Sequence, residues 1–228
     1  MTEDVELDRA RAAYRERDAR ESPYRWDNPG YVGFVQANKR ALLRAIADTG
    51  APLAGAQVLD VGCGTGYYLH RLLEYGAAEG HGVDLVPERI EEGRVRYPSL
   101  DLRVGNAAEL PFGDGELDVV TQFTCLSSIL DGDVRLAAAR EMRRVGGWVV
   151  SYDMRSAGKG EGTQVVALDE PELRRLFGEP ALLRRVSLRF DLWQILGRHA
   201  FAAQTLAALP PLRSHLLGVW RPTTQPTR

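Results

Sequence analysis

The chain has 228 residues, a formal net charge of −2, and a composition of 44% hydrophobic and 26% charged residues. That length suits one domain with a sizeable core, since folded domains commonly run from about 50 to 250 residues. No apolar run approaches the roughly 18 residues of a membrane helix, the near-neutral charge gives no general attraction to nucleic acid, and two cysteines, Cys63 and Cys125, are too few for a disulfide framework or a zinc site.

The N-terminal MTEDVELDRARAAYRERDAR is charged and helix-prone and lacks the apolar core of a secretory signal, so the protein is expected in the cytoplasm. Helices are expected over 3–20 and 31–48, separated by the aromatic, turn-rich SPYRWDNPGY. From residue 56 short β-rich runs alternate with helical patterns, the signature of crossover units around a parallel sheet. Strands are predicted at 56–61, 79–84, 100–104, 117–122, 147–153, 182–190 and 213–220, and helices at 66–75, 87–96, 132–145 and 169–177. The last helix opens on Asp169 with Pro171 in its first turn, a recognisable start signal. This divides the chain into a helical cap (1–50), an α/β domain (51–222) with a helical lid insert (191–212), and a polar tail (223–228).

The most informative stretch is VLDVGCGTGYYL, residues 58–69, where Gly62, Gly64 and Gly66 follow a strand that ends near Asp60 and precede a helix. Glycine permits positive φ and close approach of a ligand to backbone, and a helix N-terminus offers unpaired N–H groups. A dinucleotide turn would read G-x-G-x-x-G, whereas this one reads D-x-G-x-G-x-G. Asp60 would repel a pyrophosphate and attract a ligand that carries an ammonium and a sulfonium. Asp84, in HGVDLVP at the end of the second strand, is placed to accept hydrogen bonds from ribose hydroxyls, and Asn106 and Ala107 follow the third strand.

Together VLDVGCGTG, GVD, GNAAELPF and LDVV resemble the class I S-adenosylmethionine-dependent methyltransferases, across about residues 56–153. The resemblance implies a Rossmann-like α/β fold, a seven-stranded, mostly parallel sheet with an antiparallel last strand and helices on both faces, and S-adenosylmethionine as cofactor. It puts Asp60 and the turn of Gly62, Cys63 and Gly64 around the methionine part and Asp84 at the ribose. Leu85 would pack on adenine, Asn106 and Ala107 would meet its edge, and Gln122 and Phe123 would line the cofactor. Position 106 is Asn where the family often has Asp, and RRVGGW is a shorter turn before the fifth strand than is usual, which could shift that strand.

An acceptor must lie beyond the carboxyl ends of the strands, which selects QFTCLSSIL, YDMRSAG and the lid. Asp153 and His199 are candidate bases, Arg155 a candidate partner for an anionic acceptor, and Tyr24, Tyr31 and Thr124 candidate acceptor contacts, with Trp26 beside them. His70, His81 and His215 rank lower because they fall in a helix, at a strand start and in a strand. No carboxylate cluster marks a metal site. The expected reaction is methyl transfer to a small molecule, at a hydroxyl of a natural-product or sugar intermediate, without a nucleic-acid or membrane partner. N- or C-methylation, a non-catalytic cofactor-binding subunit and an NAD-binding module are the alternatives; the glycine spacing disfavours the last.

Overall fold

The computed structural model describes residues 3–19, 22–155, 165–197 and 199–222. Seven strands form one sheet: β1 (Gln57–Val61), β2 (Glu79–Asp84), β3 (Asp101–Val104), β4 (Leu117–Phe123), β5 (Gly146–Met154), β6 (Leu182–Leu188) and β7 (Arg213–Trp220). Their order is β3-β2-β1-β4-β5-β7-β6. β1 to β5 pair in parallel, and β7 runs antiparallel to both of its neighbours. Val58, Leu59, Asp60 and Val61 are all buried, as a central parallel strand covered on both faces requires.

Helices α2 (Pro29–Thr49), α3 (Tyr67–Glu74) and α4 (Pro87–Arg96) cover one face through Leu42, Ile46, Leu69, Leu72 and Ile90, packed on Val58, Val119, Val150 and Leu217. On the other face lie α5 (Cys125–Ser128), α6 (Gly132–Val145) and α7 (Glu170–Phe177), with Leu126, Met142 and Leu173 against Leu59, Val120 and Val149. Asn28 caps α2 by accepting from Gly30 N at 2.9 Å, so the turn-rich sequence before it is also its start signal. α8 (Phe190–Leu196) packs Trp193 on α2 at Gly33, where a Cβ would overlap the indole, and α9 (Ala200–Ala207) joins this cluster through Ala203. The long predicted strand at 182–190 ends at Leu188, because the chain turns there into α8.

α1 (Glu3–Asp18) is held to the domain by side chains. Tyr14 Oη donates to Asp84 Oδ2 at 3.3 Å, Arg11 pairs with Glu88 at 2.9 Å, Arg89 with Asp18, and Arg9 donates to the Ser128 carbonyl.

The short RRVGGW turn does not displace the fifth strand. α6 runs to Val145 and β5 begins at the next residue, in register with β4 from Leu117↔Gly146 to Phe123↔Tyr152. The connection is that tight because position 146 is glycine: a Cβ there would overlap Val120 Cγ2 and come within 3.1 Å of the Met142 carbonyl. Gly146→Val is therefore expected to destabilise the fold by about 1–3 kcal/mol, the usual cost of overpacking, read as a lower urea midpoint. An unchanged midpoint would mean that β5 has room to move.

Candidate functional site

The sheet order reverses at β1, which has β2 on one side and β4 on the other, and ligands of open α/β sheets bind beyond the strand ends at such a point. Here the chain leaves β1 through Gly62, Gly64 and Gly66, with φ of 70°, 55° and 84°, before α3 begins. These left-handed values are strained for any residue with a Cβ, and one on Gly62 would also lie 2.6 Å from Cys125 Sγ. Gly62 N and Cys63 N both donate to the Val83 carbonyl, at 2.8 and 3.1 Å, which fixes the turn against β2. Burial pushes both thiols, Cys63 and Cys125, well above their ordinary range, so they pack as neutral groups.

Two carboxylates face each other across this turn. Asp84 Oδ2 accepts from Gly64 N at 2.8 Å and Oδ1 from Val86 N at 3.0 Å. Burial raises its pKa, and these N–H groups and Tyr14 oppose the rise. Asp60, only 2% exposed, accepts from Thr121 Oγ1 at 2.8 Å and has no ion pair among the described residues. Burial, with a further contribution from the charge of Asp84, pushes its pKa up to about 8. A buried carboxylate without a cation is costly. It is the arrangement expected where a cationic ligand completes the site.

Both carboxylates open into a cavity of about 1580 Å³. Asp60, Gly62, Cys63 and Gly64 form its floor, with Asp84, Leu85, Asn106 and Ala107 on one wall and Phe123, Thr124, Tyr24 and Tyr31 around the other end. That other end is aromatic. Tyr68 stacks on Phe123 at 4.2 Å, Tyr24 on Phe190 at 4.9 Å, and His215 on Tyr152 at 4.7 Å, while Trp26 leans on Tyr67 at 4.9 Å. α1 and the residues after it close one side, through Arg9, Tyr14, Pro23 and Trp26.

Four of the candidate cofactor, acceptor and base residues lie outside the cavity lining: Gln122, Asp153, Arg155 and His199. The period of two along a strand explains the first two. Thr121 and Phe123 on β4, and Tyr152 on β5, share the face toward Asp60, whereas Gln122, Ser151 and Asp153 point to the opposite face. There Gln122 Nε2 donates to Ser151 Oγ at 2.6 Å and Asp153 Oδ2 at 3.1 Å, Gln122 Oε1 accepts from Cys125 N at 2.8 Å, and Asp153 accepts from Ser127 N at 3.1 Å and Met154 N at 2.8 Å. This clasp holds α5 against the strand ends. Burial raises the Asp153 pKa to about 6. Arg155 donates to the Arg213 carbonyl at 3.0 Å, and exposed His199 precedes α9. No described residue of 191–212 lines the cavity, although Phe190, immediately before the insert, does.

Asn38, Phe34 and Tyr152, which the sequence did not mark out, line the cavity, as does His215, which it ranked low. The signal for His215 was topological. An antiparallel β7 begins at the carboxyl end of the parallel strands, and His215 lies opposite Met154, the last residue of β5.

The family described as "Methyltransferase domain" matches residues 58–146, which span the glycine turn, Asp84 and the start of β5. Residues 58–146 thus match a methyltransferase domain and are similar to S-adenosylmethionine-dependent methyltransferases. A ubiquinone biosynthesis O-methyltransferase of Thiobacillus denitrificans is 36% identical over 134 residues, 57% of each chain. An O-methyltransferase of Penicillium expansum, cnsE, is 27% identical over 135 residues, 57% of this chain and 49% of that one. The chain thus spans about half the length of these curated relatives. A solved S-adenosylmethionine-dependent methyltransferase from Mesorhizobium loti superposes with a TM-score of 0.59 at 16% identity, over 82% of this chain and 99% of that one, which establishes the shared fold.

Asp60 and Asp153 each contribute to how stability varies with pH. Both have pKa values above the roughly 3.9 of an unfolded aspartate. Through these two groups the folded state holds more protons than the unfolded state above about pH 4, so their contribution falls as pH rises, while buried His215, with its pKa lowered to about 4, acts in the opposite sense below its ordinary value. The contribution of each carboxyl group is complete below pH 4 and is lost by about pH 6 for Asp153 and about pH 8 for Asp60. Urea unfolding of Asp60→Asn should give a flatter pH curve than wild type, the difference growing between pH 5 and 8 by at most about 1.4 kcal/mol per pH unit. Parallel curves would contradict the raised Asp60 pKa.

Proposed function

We propose that this protein transfers the methyl group of S-adenosylmethionine to a hydroxyl oxygen of a small acceptor held in the aromatic half of the cavity. The observation that carries the reading is Asp60, a buried carboxylate without a cationic partner among the described residues, set beside a second carboxylate that grips the glycine turn. The cofactor, when bound, supplies an electrophilic methyl group on a sulfonium, and its loss neutralises the positive charge.

The residues present fit that group. Asp60 accepts from the ammonium of the methionine part, whose charge offsets the buried carboxylate. Asp84 keeps Oδ1 on Val86 N and turns its remaining acceptor capacity to the ribose hydroxyls. Leu85 packs on the adenine, and Asn106 and Ala107 meet its edge. Asn106 Oδ1 already accepts from Ala108 N at 2.9 Å and retains a second lone pair for an amino group. Gly62 and Gly64 let the ligand approach backbone, while Phe123 and Thr124 line the passage to the acceptor. Gln122 and Asp153 serve as positioning residues through their clasp on α5. Dinucleotides fit poorly, because a pyrophosphate on this turn would sit against Asp60.

For the acceptor, two similar proteins are named as O-methyltransferases, and the stacked rings suit a flat organic molecule of the natural-product type better than a sugar. Methyl transfer needs in-line alignment and exclusion of water. α1 and the Tyr24–Trp26 segment supply the cover, taking the part the sequence assigned to the 191–212 insert.

Calorimetry should show S-adenosylhomocysteine binding, with no comparable heat from NAD. Asp84→Ala should weaken that binding by about 1–3 kcal/mol, the scale for a hydrogen bond to a charged group. Unchanged affinity in a folded Asp84→Ala protein would remove Asp84 from the ribose role, and NAD binding at equal strength would overturn the cofactor assignment.

A further inference from the structure

The aromatic half of the cavity is not uniformly apolar. One chain of hydrogen bonds crosses its wall from α2 through β6 to β5: Ser187 Oγ lies 2.6 Å from Asn38 Oδ1 and 2.8 Å from Tyr152 Oη. An amide oxygen only accepts, so the Ser187 hydroxyl donates to Asn38 and Tyr152 donates to Ser187. That leaves Asn38 Nδ2, in a side chain 2% exposed, without a partner among the described residues. Tyr152 in turn stacks on His215, which also meets Phe34 in a tilted contact at 5.6 Å.

Ser214 Oγ lies 2.9 Å from His215 Nδ1 and 3.4 Å from the Ser187 carbonyl. With the single Ser214 proton on the carbonyl, which can only accept, Nδ1–H donates to Ser214 Oγ. In that tautomer Nε2 carries the lone pair. It has no hydrogen-bond partner among the described residues, and His215 lines the cavity. The groups packed on the ring are Tyr152, Phe34 and Ser214, none of them charged. Burial alone lowers the imidazole pKa to about 4, which keeps it neutral and able to accept.

We infer that His215 Nε2 is the proton acceptor for the methylated hydroxyl, and that with Asn38 Nδ2 it selects a neutral aromatic acceptor carrying a phenolic hydroxyl and a further oxygen. This rests on the O-methyl transfer proposed above. The phenol ring enters the stacked wall, its hydroxyl donates to Nε2, and the second oxygen accepts from Asn38 Nδ2. As the phenolic oxygen uses a lone pair to form the new O–C bond, the C–S bond breaks with its electrons going to sulfur, and the O–H proton passes to Nε2. The resulting imidazolium is disfavoured by its burial and releases the proton to water, which resets the site. Neither the glycine turn nor Asp84 takes part, so the inference separates acceptor chemistry from cofactor binding.

The test uses the full chain with S-adenosylhomocysteine, with 4-methoxyphenol, which stays neutral at pH 7, as the probe and His215→Phe, which keeps a ring on Tyr152, as the variant. Nitrogen NMR of the imidazoles should show His215 as the neutral Nδ1–H tautomer at pH 7, with its Nε2 resonance shifting when 4-methoxyphenol is added. In His215→Phe, S-adenosylhomocysteine affinity should hold within about twofold, 4-methoxyphenol affinity should fall at least fivefold, and labelled methyl transfer from S-adenosylmethionine should fall by about 10²–10⁴-fold. An Nε2–H tautomer, an unmoved Nε2 resonance, or equal phenol affinity in the variant would each overturn the assignment. A shifted Nε2 resonance with no methyl transfer in wild type would uphold the acceptor contact and instead overturn the O-methyl transfer on which it builds.

Discussion

The site is organised around a carboxyl group that the protein buries without a cationic partner among the described residues. Asp60 stands at the end of the central strand, where the sheet order reverses, and its described partner is a threonine hydroxyl. An isolated buried carboxylate costs several kcal/mol unless it binds a proton or meets a cation, and burial raises the pKa of Asp60 to about 8, in favour of the proton. The glycine turn, the position of Asp84 and the open cavity all have a common physical reason if the missing cation arrives with the ligand. Without such a ligand, the same residues are a set of local strains with nothing gained in return.

Around that carboxyl group, the period of the strands sorts the remaining functions. On β4 and β5 the side chains directed toward Asp60 build the cavity, and those between them build the clasp of Gln122, Ser151 and Asp153 that fixes α5. One face of the sheet thus borders the cavity while the other holds the segment that follows β4. The reversed β7 adds His215 from a strand whose start lies where the parallel strands end. Buried carboxylates therefore meet the cavity at the glycine turn, and stacked rings with neutral polar groups meet it at Tyr152 and His215.

Much of this was legible in the sequence because short-range chemistry dictates it. Asp60, the three glycines and Asp84 announce a turn that only a few ligands suit, and the alternation of β-rich and helical runs places all seven strands to within two residues at either end. The failures share a cause in long-range geometry. Gln122 and Asp153 stand at the right strand ends, yet which face they present depends on the pairing of β4 with β5. His199 is in an apolar helical segment that packs with α2 and stays outside the cavity. His215 was ranked low for lying in a strand, although the reversal of that strand is what brings it to the site. The short RRVGGW turn suggested a displaced β5, and only the space beside Val120 shows why glycine makes it regular.

The central claim, that Asp60 exchanges a proton for the ammonium of the ligand, is tested most directly by counting that proton. Titration of S-adenosylhomocysteine into the protein at pH 7, in buffers of different ionisation enthalpy, gives the number released. With a free pKa of about 8, Asp60 is mostly protonated at that pH and becomes ionised on binding, so the account predicts release approaching one proton, abolished in Asp60→Asn. Tight binding with no proton release in the wild type would contradict it.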